Sequence, residues 1–211
     1  MEQASKYRTI ESISEGFYKE KGSKFFAFAV PCKTELDAKT VINDLRKKHH
    51  QAVHVCSAFR FGSDKKLARS SDDGEPSNSA GPPILGQLQS FDLTNILIAV
   101  VRYYGGTNLG VGGLINAYRT AAKEALSVAT IIEKEDDQLI ELHFNYAAVP
   151  IVMAWIKQFH LTIAQQDFNL SCSMQLVVPI SEKNFALKIS AHNELASADL
   201  QIELINHGII D

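Results

Sequence analysis

Two stretches hold side chains whose types and spacing could carry chemistry. The first, RSSDDGEPSNSAGPPIL from Arg69 to Leu85, gathers Asp72, Asp73 and Glu75 among serines and prolines with little to bury. Carboxylate oxygens at this density suit a hard cation such as Mg²⁺ or Ca²⁺, or a general acid–base pair. The spacing lacks the alternating oxygen positions and the later glutamate of an EF-hand loop. Nothing nearby in the sequence would push the pKa values of the neighbours Asp72 and Asp73 apart, as unequal roles require. A solvated turn, or a contact with a partner or ligand, therefore competes with a metal or catalytic role.

The second stretch, VVRYYGGTNLGVGGLINAY from Val100 to Tyr118, sets Gly105, Gly106, Gly110, Gly112 and Gly113 between an apolar strand pattern and a helical one. Glycine allows positive φ and close backbone approach, and a helix start offers unpaired N–H groups at its positive end, so the pair can cradle an anion. The spacing is neither GxGxxG nor GxxxxGK[ST], and a tight crossover whose glycines allow close packing is the simpler reading. His50 and His54 are four apart, as on a zinc-binding helix, but AVH has strand character and no HExxH glutamate is present. No GxSxG elbow marks a serine nucleophile. Tyr103 and Tyr104 could stack on bases, although strand alternation should bury one of them.

The elements that must position these residues follow from periodicity. TIESISEGFY and KFFAFAVPC read as strands joined at a turn containing Gly22. Thr34 and Asp37 resemble a capping box opening a helix whose apolar face is Leu36, Val41, Ile42 and Leu45. AVHVCSAFRFG alternates as a strand, residues 63–83 form the longest structureless candidate, and ILGQLQSF suits a short helix. NILIAVVRYY is the clearest buried strand and LINAYRTAAKEALSVA the clearest helix. The charge run EKEDDQ, Glu133 to Gln138, reads as a linker with a domain boundary near Asp136. Beyond it the order is βαββαβ, the ferredoxin-like signature, with Pro150 in the first turn of one helix and Ser181 capping the other. Met153 and Trp155 occupy core-like positions on the first of these helices.

The 211 residues are 45% hydrophobic, normal for a folded chain, and the net charge of −3 makes no general case for nucleic acid or membrane. Its distribution is uneven: 18 Lys/Arg against 15 Asp/Glu through Glu135, then 3 against 9. Phosphate contact, if any, is favoured in the first part. The start lacks a basic-then-apolar leader, and the strongest apolar run, Ile96–Val101, falls far short of a membrane span. Cys32, Cys56 and Cys172 are scattered without a CxxC pair and suit buried thiols in a reducing cytoplasm.

Taken together, the acidic and glycine stretches closely resemble the paired motifs of the IMPACT family, including its bacterial YigZ-type members, and AVHVCSAFRFG resembles the strand preceding them. The likeness runs the length of the chain, because bacterial members append a βαββαβ domain. It implies an α+β fold in two domains. Residues 1–135 would form a ribosomal-protein and elongation-factor-like α/β sandwich with a left-handed crossover, and 136–211 a ferredoxin-like domain similar to the last domain of elongation factor G. Eukaryotic relatives regulate translation by competing for the activator of the kinase that senses amino-acid starvation. They carry a different domain at the opposite end, so that partner does not transfer directly.

Matching residues carry over as candidate ligand or partner contacts. His54, Arg60, Arg69, Ser71, Asp72, Asp73, Glu75 and Ser77 fall on the first motif region, with Gly74 and Pro76 between them. Arg102, Tyr103, Gly105, Gly106, Thr107, Gly110, Gly112, Gly113 and Tyr118 fall on the second. Family members often carry a basic residue where this chain has Asn108 and Asn116, which weakens a phosphate site here. The expected arrangement packs the acidic loop beside the glycine crossover, with Arg60, Arg69 or Arg102 pairing to its carboxylates. The leading functional expectation is a non-catalytic, cytoplasmic protein of translation or its regulation that binds a protein or ribonucleoprotein partner, with no cofactor, metal ligand or catalytic residue assigned. The alternatives are a small-ligand or metal-dependent enzyme using the two loops, and direct nucleic-acid binding by the first domain.

Overall fold

The computed structural model describes residues 6–169, 172–180 and 201–205, and they group into two compact units, one of Lys6–Lys134 and one from Glu135 onward. In chain order the first unit comprises β1 (Lys6–Ile10), β2 (Ser14–Glu20), β3 (Ser23–Pro31), α1 (Glu35–Lys48), β4 (His54–Phe61), β5 (Leu67–Ser71), α2 (Gly81–Ser90), β6 (Ile96–Tyr103), α3 (Gly110–Ser127) and β7 (Ile131–Glu135). Five strands form an antiparallel sheet in the order β2-β3-β6-β4-β5, while β1 pairs with β7.

The apolar run of β6 explains its central place. Ile96, Ile98 and Val100 face α2 and α3 on one side, while Leu97, Ala99 and Val101 face α1 on the other. A strand covered on both faces has no use for polar alternation. Because β3 and β4 both run antiparallel to β6, they are parallel to each other, and α1 is the crossover between them.

Thr34 caps α1 as expected, its Oγ1 accepting the Asp37 N–H at 3.1 Å. Leu45 is buried, with Val41 and Ile42 packed nearby, but Leu36 is 73% exposed. At about 100° per residue Leu36 lies opposite Leu45, so it never belonged to that face. Three further expectations change. TIESISEGFY is two strands in different sheets, broken between Ile10 and Ser14. The segment 63–83 contains β5 and the first turn of α2 rather than a structureless loop. The charge run at 133–138 holds the end of one strand and the start of the next, with Asp136 alone between them.

The second unit holds β8 (Asp137–Phe144), α4 (Val149–Gln158), β9 (Thr162–Phe168), β10 (Cys172–Pro179) and β11 (Gln201–Ile205), and these strands form an antiparallel sheet in the order β11-β8-β10-β9. The first and third strands are central and the second and fourth lie at the edges, as in a ferredoxin-like domain. Ile140, Leu142, Met174, Leu176 and Val178 of the sheet pack with Val152, Trp155 and Ile156 of α4. Pro150 sits in the first turn of that helix. Met153 is 41% exposed, on the flank of α4 rather than in the core. The second helix expected here and its cap Ser181 lie outside the described residues.

Candidate functional site

The site is built on the face of the sheet that meets α2 and α3. His54 of β4 and Phe25 of β3 flank Arg102 of β6 as direct cross-strand partners, and Cys56 lies two residues beyond His54 on the same face. The loop 72–80 settles onto this row, and each of its three carboxylates finds different partners.

Asp72 starts a helix. Its Oδ1 accepts the N–H groups of Ala80 and Gly81 at 2.9 and 2.8 Å, and its Oδ2 accepts that of Asn78 at 2.8 Å. The residue at the N-cap of α2 is Ala80, which has no side chain to do this. Burial alone would raise the Asp72 pKa, but the bonds from Gly81, Asn78 and Ala80 outweigh it and hold the carboxyl below its ordinary value. Asp73 faces the other way: Oδ2 accepts Val55 N–H at 2.6 Å and Oδ1 pairs with Arg46 at the end of α1. Its carbonyl lies 2.7 Å from His54 Nδ1. A carbonyl only accepts, so Nδ1 carries the proton and Nε2 is turned toward Glu75 Oε2, 4.0 Å away.

Glu75 is the buried member. Its side chain is 3% exposed and its Oε1 accepts from Arg102 Nη1 and from the Tyr118 hydroxyl, both at 2.6 Å. Tyr118 projects from α3, so this carboxylate ties the acidic motif to the glycine motif. Burial first, then Cys56 and Glu75 beside it, push the Tyr118 phenol far up, which keeps it a neutral donor. The Arg102 guanidinium lies between the rings of Phe25 and Tyr104, its carbon 5.6 Å from each centroid. The Cys56 thiol donates to the Asp72 carbonyl at 3.0 Å, and burial pushes its pKa up.

Of the three candidate arginines only Arg102 meets the loop. Arg60 reaches the carbonyls of Lys65 and Leu93 and pairs with Asp92, and Arg69 pairs with Glu35 at 2.7 Å. Arg69 pairs across the strands with Phe59 and so faces α1, while Arg60 shares the face of His54 but stands six residues along β4, opposite Ile96. Ser71, at the end of β5, accepts from Asp73 N–H at 3.4 Å, while Ser77 and Thr107 stand in solvent. Tyr103 turns to the α1 face, its hydroxyl 2.9 Å from His49 Nδ1, and Tyr104 is exposed. His50 and His54 lie in different elements, so helical zinc spacing does not apply. Among the described residues, no group of three or more His, Cys, Asp and Glu is arranged to hold a metal ion.

Close packing explains only part of the glycine motif. A Cβ on Gly105 would lie 2.0 Å from the Gly22 carbonyl carbon, so the β2–β3 turn and this loop meet backbone to backbone, and one on Gly113 would come within 3.0 Å of Leu109 Cβ. At Gly106, Gly110 and Gly112 a Cβ would meet nothing. Gly106 and Gly110 have φ of +82° and +70°, but Gly112 has neither reason. The helix they open has no capping side chain and no acidic residue in its first turn. Between this helix start and the Glu75 row lies a cleft of about 450 Å³, lined by residues of both motifs.

Three contributors escaped the sequence reading. Cys56 was findable, being two residues from His54 on one strand. Arg46 and Ser23, whose Oγ accepts Gly105 N–H at 3.1 Å, are brought in by tertiary packing with no local mark.

The family model for the Impact N-terminal domain matches residues 21–126, which hold every residue of this site. An IMPACT family member of Haemophilus influenzae is 33% identical over 190 residues, spanning 89% of this chain and 91% of its own. The IMPACT family member YigZ of Escherichia coli is 32% identical over 156 residues, spanning 72% of this chain and 76% of its own. A crystal structure of a hypothetical protein superposes with a TM-score of 0.76 at 27% identity, covering 96% of this chain and 98% of that one.

Proposed function

The chain belongs to the IMPACT family, and from that premise we propose that it is a non-catalytic protein of translation or its regulation that works by binding a protein or ribonucleoprotein partner. One observation carries this reading. The carboxylates of the acidic loop are committed to holding the loop in place, which makes it a rigid display surface rather than a reactive cluster. Asp72 binds three backbone N–H groups, Asp73 one N–H and an arginine, and Glu75 an arginine and a phenol. A preformed loop loses little conformational entropy on docking. Facing solvent from it are Gly74, Pro76, Ser77 and Asn78. A metal-dependent enzyme would need carboxylate lone pairs that Asp72 has already given to the backbone.

The test is an affinity pulldown from cell extract with the intact chain and with Ser77→Arg, each with and without nuclease. Ser77 is exposed, so the variant leaves the fold intact. The expected result is a translation component retained by the parent chain and lost with Ser77→Arg; nuclease separates an RNA-bridged contact from a direct protein one. Retention of nothing above background, or equal retention by both proteins, defeats the reading.

Direct nucleic-acid binding has its own support at the other face of the sheet. Phe17 is 50% exposed on edge strand β2 and packs 5.0 Å from Phe26, beside a 430 Å³ hollow lined by Lys24, His49, Tyr103 and Tyr104. Aromatic rings with a lysine among them can stack on unpaired bases. Mobility shifts over a salt series decide it: binding must weaken steeply with salt and with Phe17→Ala.

A further inference from the structure

The cleft between the two motifs has features that a rigid display surface does not call for. Arg102 lines it with a side chain only 7% exposed, yet its ion pair with Glu75 uses Nη1, and among the described residues its buried Nε has no hydrogen-bond partner. A charged donor left unpaired in the interior is costly, and on a residue that lines a cleft it points to an acceptor that arrives from outside. The opposite wall is the start of α3, an 18-residue helix with no capping side chain and no acidic residue in its first turn. Among the described residues no side chain caps its leading N–H groups, which stand at the positive end of the helix dipole. Gly110 and Gly112 leave the approach to them open, since a Cβ at either would meet nothing.

These observations specify a ligand. Several N–H groups fanned around a helix start, with a guanidinium nearby, offer more donors than a planar carboxylate can fill, and a tetrahedral dianion matches them better. The existing charges balance, because Glu75 is already paired with Arg102 and accepts from Tyr118. Tyr104, Leu109 and Leu114 add an apolar wall, and Asn108 lies at the rim, its Oδ1 accepting from the Tyr104 hydroxyl at 3.2 Å. We propose that this cleft binds a small phosphomonoester, its phosphate seated on the first turn of α3 and its organic part against Tyr104 and Leu114. The site does not depend on the partner-binding reading and stands or falls separately from it.

The test uses amide chemical shifts of the intact chain titrated with inorganic phosphate, a nucleoside 5′-monophosphate and an oligonucleotide without a terminal phosphate. Saturable shifts at Gly110–Gly113 are expected with the first two and not with the third. Val111 is 53% exposed and lines the cleft, so Val111→Asp places a carboxylate on the helix start, where an acid favours the helix, and competes with the ligand. The variant should unfold no earlier than the parent and lose the saturable shifts. Asn108→Lys should bind several-fold more tightly, because it adds a cation at the rim. Absence of saturable shifts, their survival in Val111→Asp, or a response to the oligonucleotide alone overturns the proposal.

Discussion

At the scale of single residues, the fate of the three carboxylates turns on which backbone they meet. Glu75 and Arg102 form a buried pair, 3% and 7% exposed, and removing one partner strands the other in a poor dielectric. Glu75→Ala should cost about 3–5 kcal/mol in urea unfolding. The double variant Glu75→Leu/Arg102→Met should cost clearly less than the two single changes added, because no orphan charge remains. Asp72 makes a pH prediction. Its folded pKa is depressed, so its contribution is complete above the unfolded value near 3.9 and disappears as pH falls through the lower folded value. The stability gap between the parent chain and Asp72→Asn should therefore be constant from neutral pH to about 5 and close below about 4. The sequence marked these residues as unusual, but it could not allot their roles. The atoms that decide them, Val55 N, the Arg102 guanidinium and the Tyr118 hydroxyl, come from elsewhere in the chain.

At the scale of elements, legibility followed burial. β6 and α3 stood out because tertiary packing demands the apolar pattern that a reader looks for. β5 did not, because its residues are mostly exposed and it is held by backbone pairing to β4 at the sheet edge, which leaves no hydrophobic trace. The start of α2 was hidden for a related reason: its capping group stands eight residues upstream of Ala80, in the loop. The glycines of the second motif divide in a way that spacing does not reveal. Gly105→Ala would force a methyl into the Gly22–Ser23 backbone and should destabilise by about 3 kcal/mol, the upper end for overpacking. Gly112→Ala enters open space in a helix and should be neutral or stabilise by up to about 1 kcal/mol. Thermal or urea unfolding of the two variants side by side checks both, and a similar loss at both positions would refute the division.

At the scale of the molecule, each unit has a core of its own, one around β6 with α2 and α3 and one between β8, β10 and α4. We expect 1–135 and 136–211 to fold when expressed separately, each giving an amide spectrum that overlays on its part of the whole chain. Collapse of either fragment would place the boundary elsewhere. The strands and first helix of the second unit were readable because each is short, periodic and bounded by turn residues. The crossover topology of the first was not, since only strand pairing shows that β3 and β4 flank β6.

The thiol of Cys56 sits beneath the acidic loop, bonded to the Asp72 carbonyl and held protonated by burial. That makes it a timekeeper. A thiol reagent can modify it only while the loop is lifted, so the rate of alkylation in the native protein measures how often the two motifs part. Loosening the clasp with Glu75→Gln should speed that rate, and any molecule that settles across both motifs should slow it. A partner or ligand could thus be recognised by the time it adds to the clock.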